Sequence, residues 1–196
     1  MAALRRWTRP AAATGAAVRC ELCSQALEPR HEHLLALASG ELSCACTACA
    51  LLFDRADAAY QRLGRDRRFL QDFDFNPLEW ASLAVPVQLA FFRRRAAVTV
   101  AAYPSPAGLV RADVAEPAWA ALSARHGALA AMAPEIEALI ANRMEQPHRY
   151  FIVPLDDAYE LAGLVRQLWR GFTGGAEVRH RIREFCIQLA SGAAHA

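Results

Sequence analysis

The amino-acid sequence predicts an α+β protein: a small N-terminal four-cysteine knuckle of the zinc-ribbon type, packed on an α+β domain with a short antiparallel sheet and about four helices. Five of the six cysteines lie between residues 20 and 49, β-like runs follow at 87–92 and 98–103, and apolar residues recur at helical spacing after residue 116. The predicted division is a disordered leader at 1–17, a zinc-ribbon-like segment at 18–53, a linker region at 54–85, the α+β domain at 86–190 and a disordered tail at 191–196.

The composition of the chain narrows the functional classes. Of its 196 residues, 55% are hydrophobic and 21% are charged, which indicates a globular protein rather than a disordered one. No run approaches the ~18 consecutive apolar residues of a membrane-spanning helix. The formal net charge of +2 disfavours a domain built to bind nucleic-acid phosphates. We therefore expect a soluble, cytoplasmic protein, in which clustered cysteines indicate metal or redox chemistry rather than structural disulfides.

The first residues raise the question of an export signal. Their apolar stretch is short and is interrupted by Thr14 and Gly15, and Arg19 stands directly before the first cysteine. A lipoprotein cleavage site needs small or apolar residues at that point. We therefore interpret 1–17 as a disordered basic leader.

Two cysteine pairs give the clearest chemical signal. Cys20 and Cys23 form one C-x2-C pair, and Cys46 and Cys49 form a second. In each pair the chain turns back so that both sulfurs face one point, and a hairpin between the pairs brings the two turns together around a tetrahedral ion. The apolar run at 33–38 and the Ser-Gly turn signal after it predict that hairpin. The sequence therefore predicts a metal site with these four cysteines as ligands.

The spacing defines a metal site better than it defines the metal. Four thiolates in a tetrahedron suit Zn²⁺ or a single iron ion, and zinc is the commoner occupant. Zn²⁺ is therefore the favoured cofactor, a redox iron centre is the alternative, and thiol–disulfide chemistry without metal stays open. Because so small a segment cannot build a core of its own, the ion is expected to supply most of its folding free energy.

Two more residues are alternative or auxiliary ligands. Cys44 lies two positions before Cys46, so on an extended approach both sulfurs project to the same face. Cys44 either replaces Cys46 as a ligand or is a fifth thiol beside a closed site, where it is a buried small side chain or a chemically active one. His33 is an alternative ligand, a partner of a ligand, or a surface histidine at the start of a strand.

The sheet of the second domain is predicted from three apolar runs. Residues 87–92 and 98–103 read as strands of a hairpin, and 150–155 reads as a third strand of the same antiparallel sheet. The arginines at 93–95 are interpreted as a solvated hairpin tip or as a contact for an anion or an acidic partner. Prolines at 104 and 106 end the second strand because they cannot donate to the ladder.

Four segments of this domain carry helix signals. They are a helix from Pro117; one from Pro134 that would bury Ile136, Leu139 and Ile140; one capped by Asp156; and one after Gly174-Gly175 that would bury Cys186. The neighbouring carboxylates of Asp156 and Asp157 are explained by capping and by the helix dipole rather than by acid–base chemistry. No catalytic set is recognised after residue 53, so the sequence leans away from an enzyme without excluding one.

Motifs along most of the chain carry a family resemblance. They are Cys20-Glu21-Leu22-Cys23, His33-Leu34-Leu35, residues 44–53, Val85-Pro86-Val87, Leu89-Ala90-Phe91-Phe92, residues 103–108, residues 153–159 and residues 169–175. This set resembles a bacterial family of unknown function that is encoded beside the structural and maturation genes of actinobacterial-type nickel-iron uptake hydrogenases. The resemblance implies an accessory role with a hydrogenase subunit or maturation factor as partner. It implies no reaction.

These observations leave one leading hypothesis and three alternatives. The leading hypothesis is a non-enzymatic, zinc-binding accessory protein that assists hydrogenase assembly or maturation through protein contacts. The alternatives are a rubredoxin-like iron protein that transfers electrons, a zinc-ribbon regulator that binds nucleic acid through Arg65, Arg67 and Arg68, and an enzyme with Cys44 as its candidate nucleophile.

Overall fold

The computed structural model describes residues 18–55, 59–105, 108–168 and 175–195. The predicted leader at 1–17 lies outside these residues. The chain divides into two compact units, called here the N-terminal unit (Met1–Gly64) and the C-terminal unit (Arg65–Ala196). Among the described residues, no helix combines the length and the apolar character that crossing a bilayer requires.

The N-terminal unit is a small antiparallel sheet with one short helix. Its elements are β1 (Glu32–Ala36), β2 (Leu42–Ala45), α1 (Thr47–Phe53) and β3 (Tyr60–Arg62), with the strands in the order β2-β1-β3. The predicted hairpin is confirmed. Gly40 has a φ of 70°, a conformation that glycine adopts without strain, and its N–H donates to the carbonyl of Ala36 at 2.7 Å. The hairpin register places Cys44 directly opposite His33.

The C-terminal unit is built on a larger sheet. Its strands are β4 (Arg68–Phe69), β5 (Leu89–Arg95), β6 (Val98–Ser105), β7 (Gly108–Val114), β8 (Glu137–Asn142), β9 (Arg149–Pro154) and β10 (Ala194–His195). Its helices are α2 (Pro77–Ser82), α3 (Glu116–Arg125), α4 (Gly127–Ala130), α5 (Leu155–Leu168) and α6 (Gly175–Gly192). The sheet order is β10-β4-β9-β8-β5-β6-β7, in which only the β10–β4 pairing is parallel.

Helices cover both faces of this sheet. Phe92 of β5 stacks on Trp119 of α3, whereas its neighbour Phe91 contacts Tyr159 of α5. Because successive side chains of a strand point to opposite faces, α3 and α5 lie on opposite sides of the sheet. The two central strands β8 and β9 are consequently buried along nearly their whole length.

The predicted fold class is wrong about the sheet. Instead of a short antiparallel sheet, the C-terminal unit has a seven-stranded sheet with six antiparallel strands, and the N-terminal unit has a three-stranded sheet of its own. The helix predicted from Pro134 is in fact β8, with Leu139 and Ile140 in its centre. A strand that is buried on both faces loses its polar alternation, so its apolar run resembles a buried helix.

The predicted linker and tail contain regular structure. Residues 54–85 contain β3, β4 and α2, and α2 begins with a capping box in which Asn76 and Glu79 bond reciprocally to each other's backbone N–H. Residues 191–195 complete α6 and form β10. Two-residue strands such as β4 and β10 are too short to show a period, which is why the sequence did not predict them.

The arginine run at 93–95 is only partly at a hairpin tip. The hairpin of β5 and β6 is present, with its turn at Ala96 and Ala97. Arg93 is buried, however, and its guanidinium donates to Tyr159 and to Glu135, at 3.4 and 3.1 Å. The expectation that all three arginines are solvated is therefore wrong for Arg93.

Candidate metal centre

The four predicted ligands come from two turns of the N-terminal unit. Cys20 and Cys23 lie on a tight turn that is closed by a hydrogen bond from the Ser24 N–H to the Cys20 carbonyl, at 2.8 Å. Cys46 is the N-cap of α1, and its sulfur accepts a hydrogen bond from the Cys49 N–H at 3.4 Å. A backbone N–H that points at a cysteine sulfur favours the thiolate, the form that binds metal.

A pair of hydrogen bonds joins the first turn to β2. The Glu21 N–H donates to the Cys44 carbonyl at 2.9 Å, and the Cys44 N–H donates to the Glu21 carboxylate at 3.3 Å. Because β2 leads directly into α1, this junction brings the Cys20–Cys23 turn close to the Cys46–Cys49 turn. The sulfurs of Cys23 and Cys46 are 3.8 Å apart.

The spacing of the four sulfurs fits one tetrahedral ion. All four lie within 4.8 Å of one another. A Zn–S bond of ~2.3 Å gives a tetrahedron whose edges are ~3.8 Å, the Cys23–Cys46 separation. A disulfide needs a separation of ~2.0 Å, and all six cysteines of the chain are free thiols here. The arrangement therefore suits a shared ion; it does not define which metal the ion is.

The environment of the sulfurs favours a cation. Cys20 is buried, which by itself would raise its pKa, but backbone N–H groups of Cys46, Cys23 and Leu22 lower the pKa to about 6. At Cys49, burial and the neighbouring thiols of Cys23 and Cys46 raise the pKa to about 12. Four thiolates cannot accumulate in this space without a compensating positive charge, and a divalent ion supplies that charge.

Access to the centre differs among its ligands. Cys20 and Cys46 are buried, Cys49 is half-buried and Cys23 is exposed. The helix that begins after Cys46 buries only Ala50, whereas Leu51 and Leu52 are exposed. An apolar surface therefore adjoins the cysteine cluster on α1.

The auxiliary candidates belong to a different group. Neither Cys44 nor His33 is a member of the four-sulfur cluster; together with His31 they form a second group whose ligand atoms lie within 4.8 Å of one another. His31 was not among the predicted ligands. The His-x-His spacing at the start of β1 was the signal that could have found it, since residues two apart on a strand share a face.

The other residues singled out in the sequence have structural contacts. Cys186 is buried on α6, as predicted, and its sulfur accepts a hydrogen bond from the Asn142 side chain at 3.4 Å. Asp157 lies in the first turn of α5 and accepts two hydrogen bonds from Arg67, at 2.7 and 2.6 Å. Arg68 pairs with Glu137 at 2.6 Å. Two of the three arginines invoked for nucleic-acid binding are thus bonded to carboxylates.

Most of the chain matches the model of a known protein family. A family model described as "Family of unknown function (DUF5947)" matches residues 19–193, which is nearly all of the chain after the first cysteine turn begins. No curated protein and no solved structure matches the chain.

Proposed function

The chain belongs to this family of unknown function, and we propose that it is a non-enzymatic, zinc-binding accessory protein that acts through contacts with a protein partner. The observation that carries the proposal is the convergence of four cysteine sulfurs within 4.8 Å of one another. Four protein ligands complete a tetrahedron and leave no coordination position for a substrate. Closed sites of this kind stabilise folds rather than catalyse reactions.

Zinc is the proposed ion because of what the N-terminal unit otherwise lacks. In the buried cluster that the described residues form around the cysteines, Leu34 is the one large apolar side chain beside Cys20, Ala45, Cys46 and Ala50. Structural zinc in small domains contributes an apparent ~10–16 kcal/mol, which is more than such a cluster can provide. The ion would thus fix the orientation of α1 relative to the hairpin.

The exposed leucines of α1 are the proposed contact surface. Leu51 is 60% exposed and Leu52 is 57% exposed, on a helix whose first residue follows a zinc ligand. Neighbouring exposed apolar side chains on a fixed element are typical of protein–protein contacts. The partner proposed is a nickel-iron hydrogenase subunit or maturation factor, and its support is the motif resemblance described above.

The proposal is tested by affinity capture from a host that expresses the hydrogenase. We expect the tagged wild-type chain to recover a hydrogenase subunit or maturation factor, and a Leu51→Asp/Leu52→Asp variant to recover at least tenfold less. Leu78→Asp is the matched control, because Leu78 is 84% exposed but lies on α2 of the C-terminal unit. Failure of the wild-type chain to recover any hydrogenase component would contradict the proposed partner.

A rubredoxin-like electron-transfer protein is the second candidate. It is favoured by the exposed position of Cys23, which would give electrons a short path to the surface, and by the N–H group of Cys49 that donates to Cys46. Elemental analysis and visible absorption of the protein purified without chelators separate the two candidates. One zinc per chain and no colour supports the accessory role, whereas one iron with thiolate-to-iron absorption supports electron transfer.

A further inference from the structure

We propose that His31, His33 and Cys44 form a second transition-metal site, with three protein ligands and one open coordination position. One ligand atom from each of these residues lies within 4.8 Å of the others. The group shares no residue with the four-cysteine cluster. It therefore goes beyond the proposed function, and its test is made on protein whose four-cysteine cluster already holds an ion.

The backbone of the hairpin brings the three side chains together. His33 lies in β1, and His31 directly precedes that strand, two residues away, so both imidazoles project from the same face. Their rings are 4.8 Å apart between centroids and inclined at 71°. Cys44 of β2 is the cross-strand partner of His33, which places its sulfur on that face too.

His31 has the tautomer that a metal ligand needs. Its Nδ1 lies 2.9 Å from the carbonyl oxygen of Glu28, and because a carbonyl can only accept, Nδ1 carries the hydrogen. In the neutral ring the other nitrogen, Nε2, is then an acceptor with a free lone pair. This Nε2 is buried and has no hydrogen-bond partner. An unsatisfied buried acceptor destabilises the folded state, and a bound ion removes that cost.

The same contact orients the ring. In metal sites, a ligating histidine ordinarily donates its second ring N–H to a backbone carbonyl or a carboxylate, which fixes the tautomer and the ring plane. The Glu28 carbonyl occupies that role for His31. Cys44 is held on its backbone by both hydrogen bonds to Glu21, so its position is fixed from the side of the first cysteine turn.

The donor set determines the class of ion. Two imidazole nitrogens and one thiolate suit Zn²⁺, copper and similar transition metals, whereas Mg²⁺ and Ca²⁺ prefer oxygen ligands. Three protein ligands leave a fourth position for water or an incoming ligand, as in catalytic and exchangeable sites. Both histidines are partly exposed, so the site lies close to the surface of the N-terminal unit. We therefore expect this ion to exchange more readily than the one held by four cysteines.

The test counts ions on the full-length protein. The protein carrying one Zn²⁺ per chain is titrated with Co²⁺, and binding is followed by native mass spectrometry and by thiolate-to-cobalt absorption. Wild type should bind a second ion that a mild chelator removes first. His31→Ala, His33→Ala and Cys44→Ser should each bind only the first ion. His180→Ala is the control, since this histidine is exposed on α6, where it lies 3.3 Å from Glu184.

A second measurement needs no variant. In the wild-type protein, the imidazole NMR signals of His31 and His33 should shift when a second equivalent of Zn²⁺ is added, and those of His148 and His180 should not. A wild-type protein that binds a single ion, a second ion that survives all three substitutions, or imidazole signals that do not move would each overturn the proposal. If His180→Ala loses the tightly held ion but keeps the ion that a mild chelator removes first, the result contradicts the four-cysteine site and not this second site.

Discussion

The two units of the chain are stabilised in different ways. In the N-terminal unit, two of the five residues in the buried cluster are the cysteines Cys20 and Cys46. In the C-terminal unit, the buried cluster is larger and rich in aromatic residues, with Phe92, Trp119 and Tyr150 all fully buried. If the proposed ion is bound, it supplies in the N-terminal unit the stability that a larger apolar core supplies in the C-terminal unit.

The largest effect is expected on removal of the ion from the N-terminal unit. Cys46→Ser, or treatment with a strong chelator, removes up to ~10–16 kcal/mol of apparent metal-binding energy and should unfold the β1–β2 hairpin. Amide hydrogen exchange measures this: the amide of Leu34 should lose its protection, while that of Ile140 in β8 keeps it. Cys186→Ala, which removes a buried thiol outside the cluster, should leave Leu34 protected. Continued protection of Leu34 without metal would mean that the ion is dispensable.

The reverse experiment removes a core aromatic from the C-terminal unit. Trp119 is fully buried and stacks on Phe92 with ring centroids 5.8 Å apart, so Trp119→Ala should cost about 3–5 kcal/mol of unfolding free energy. Metal content should stay at the wild-type value. Denaturant unfolding and elemental analysis check the two outcomes, and Leu78→Ala, at an exposed position, should change stability by less than about 0.5 kcal/mol. A loss of zinc in Trp119→Ala would show that the two units do not have separate sources of stability.

We expect a smaller loss of unfolding free energy when the ion pair between Arg67 and Asp157 is broken. Asp157 is buried, and Asp157→Asn removes half of a two-bond contact. A fully buried pair would cost ~3–5 kcal/mol, but the Arg67 side chain is 39% exposed, so we expect about 2 kcal/mol. Glu145→Gln is the control, because its pair with Arg183 is exposed at both ends and its loss should lower the stability measurably less. Equal effects of the two substitutions in urea unfolding would contradict the role of burial.

The sequence predicted those parts of the structure that depend on local spacing. Two C-x2-C turns and a Ser-Gly turn have fixed local geometry, so the four-cysteine cluster and the hairpin followed from them. Acidic residues at 156 and 157 marked the first turn of α5, although the helix begins at Leu155, one residue before the predicted cap Asp156. What the sequence did not predict depends on distant contacts. β8 resembled a helix because its two faces are covered by segments far away in the chain.

The group formed by His31, His33 and Cys44 also depends on contacts between distant residues, so the sequence did not predict it. His33 and Cys44 were each considered as additions to the four-cysteine site, because spacing along the chain relates Cys44 to Cys46. Strand register relates it instead to His33, and the paired position then brings in His31. The register of the hairpin depends on where the chain turns, which here is at Gly40. A shift of one residue would place the Cys44 side chain on the opposite face of the sheet.

The smallest expected effect on stability comes from lowering the pH, which we expect to destabilise the two units by different mechanisms. In the C-terminal unit, partial burial opposes ionisation of Asp74, but hydrogen bonds from Tyr150 and His148 and the charge of Arg143 lower its pKa below the usual value. A carboxyl whose pKa is lower in the folded state stabilises the fold above its unfolded pKa of ~3.9, and that contribution disappears as the pH falls through the folded pKa. In the N-terminal unit, protons would instead compete with the proposed metal ion for the thiolates.

The variant Asp74→Asn distinguishes protonation of Asp74 from protonation of the cysteine thiolates as the cause of acid destabilisation. The Asp74 side chain is 57% exposed, so its contribution is screened by water, and we expect a loss of less than about 1 kcal/mol at pH 7. Urea unfolding, followed by the NMR signals of Tyr150 and Leu34 at several pH values, measures each unit separately. Between pH 7 and pH 3, the stability reported by Tyr150 should fall less steeply in Asp74→Asn than in wild type, while the signal of Leu34 should respond to acid alike in both proteins. If the stability reported by Tyr150 depends on pH in the same way in both proteins, Asp74 does not contribute to the pH dependence of the stability of the C-terminal unit.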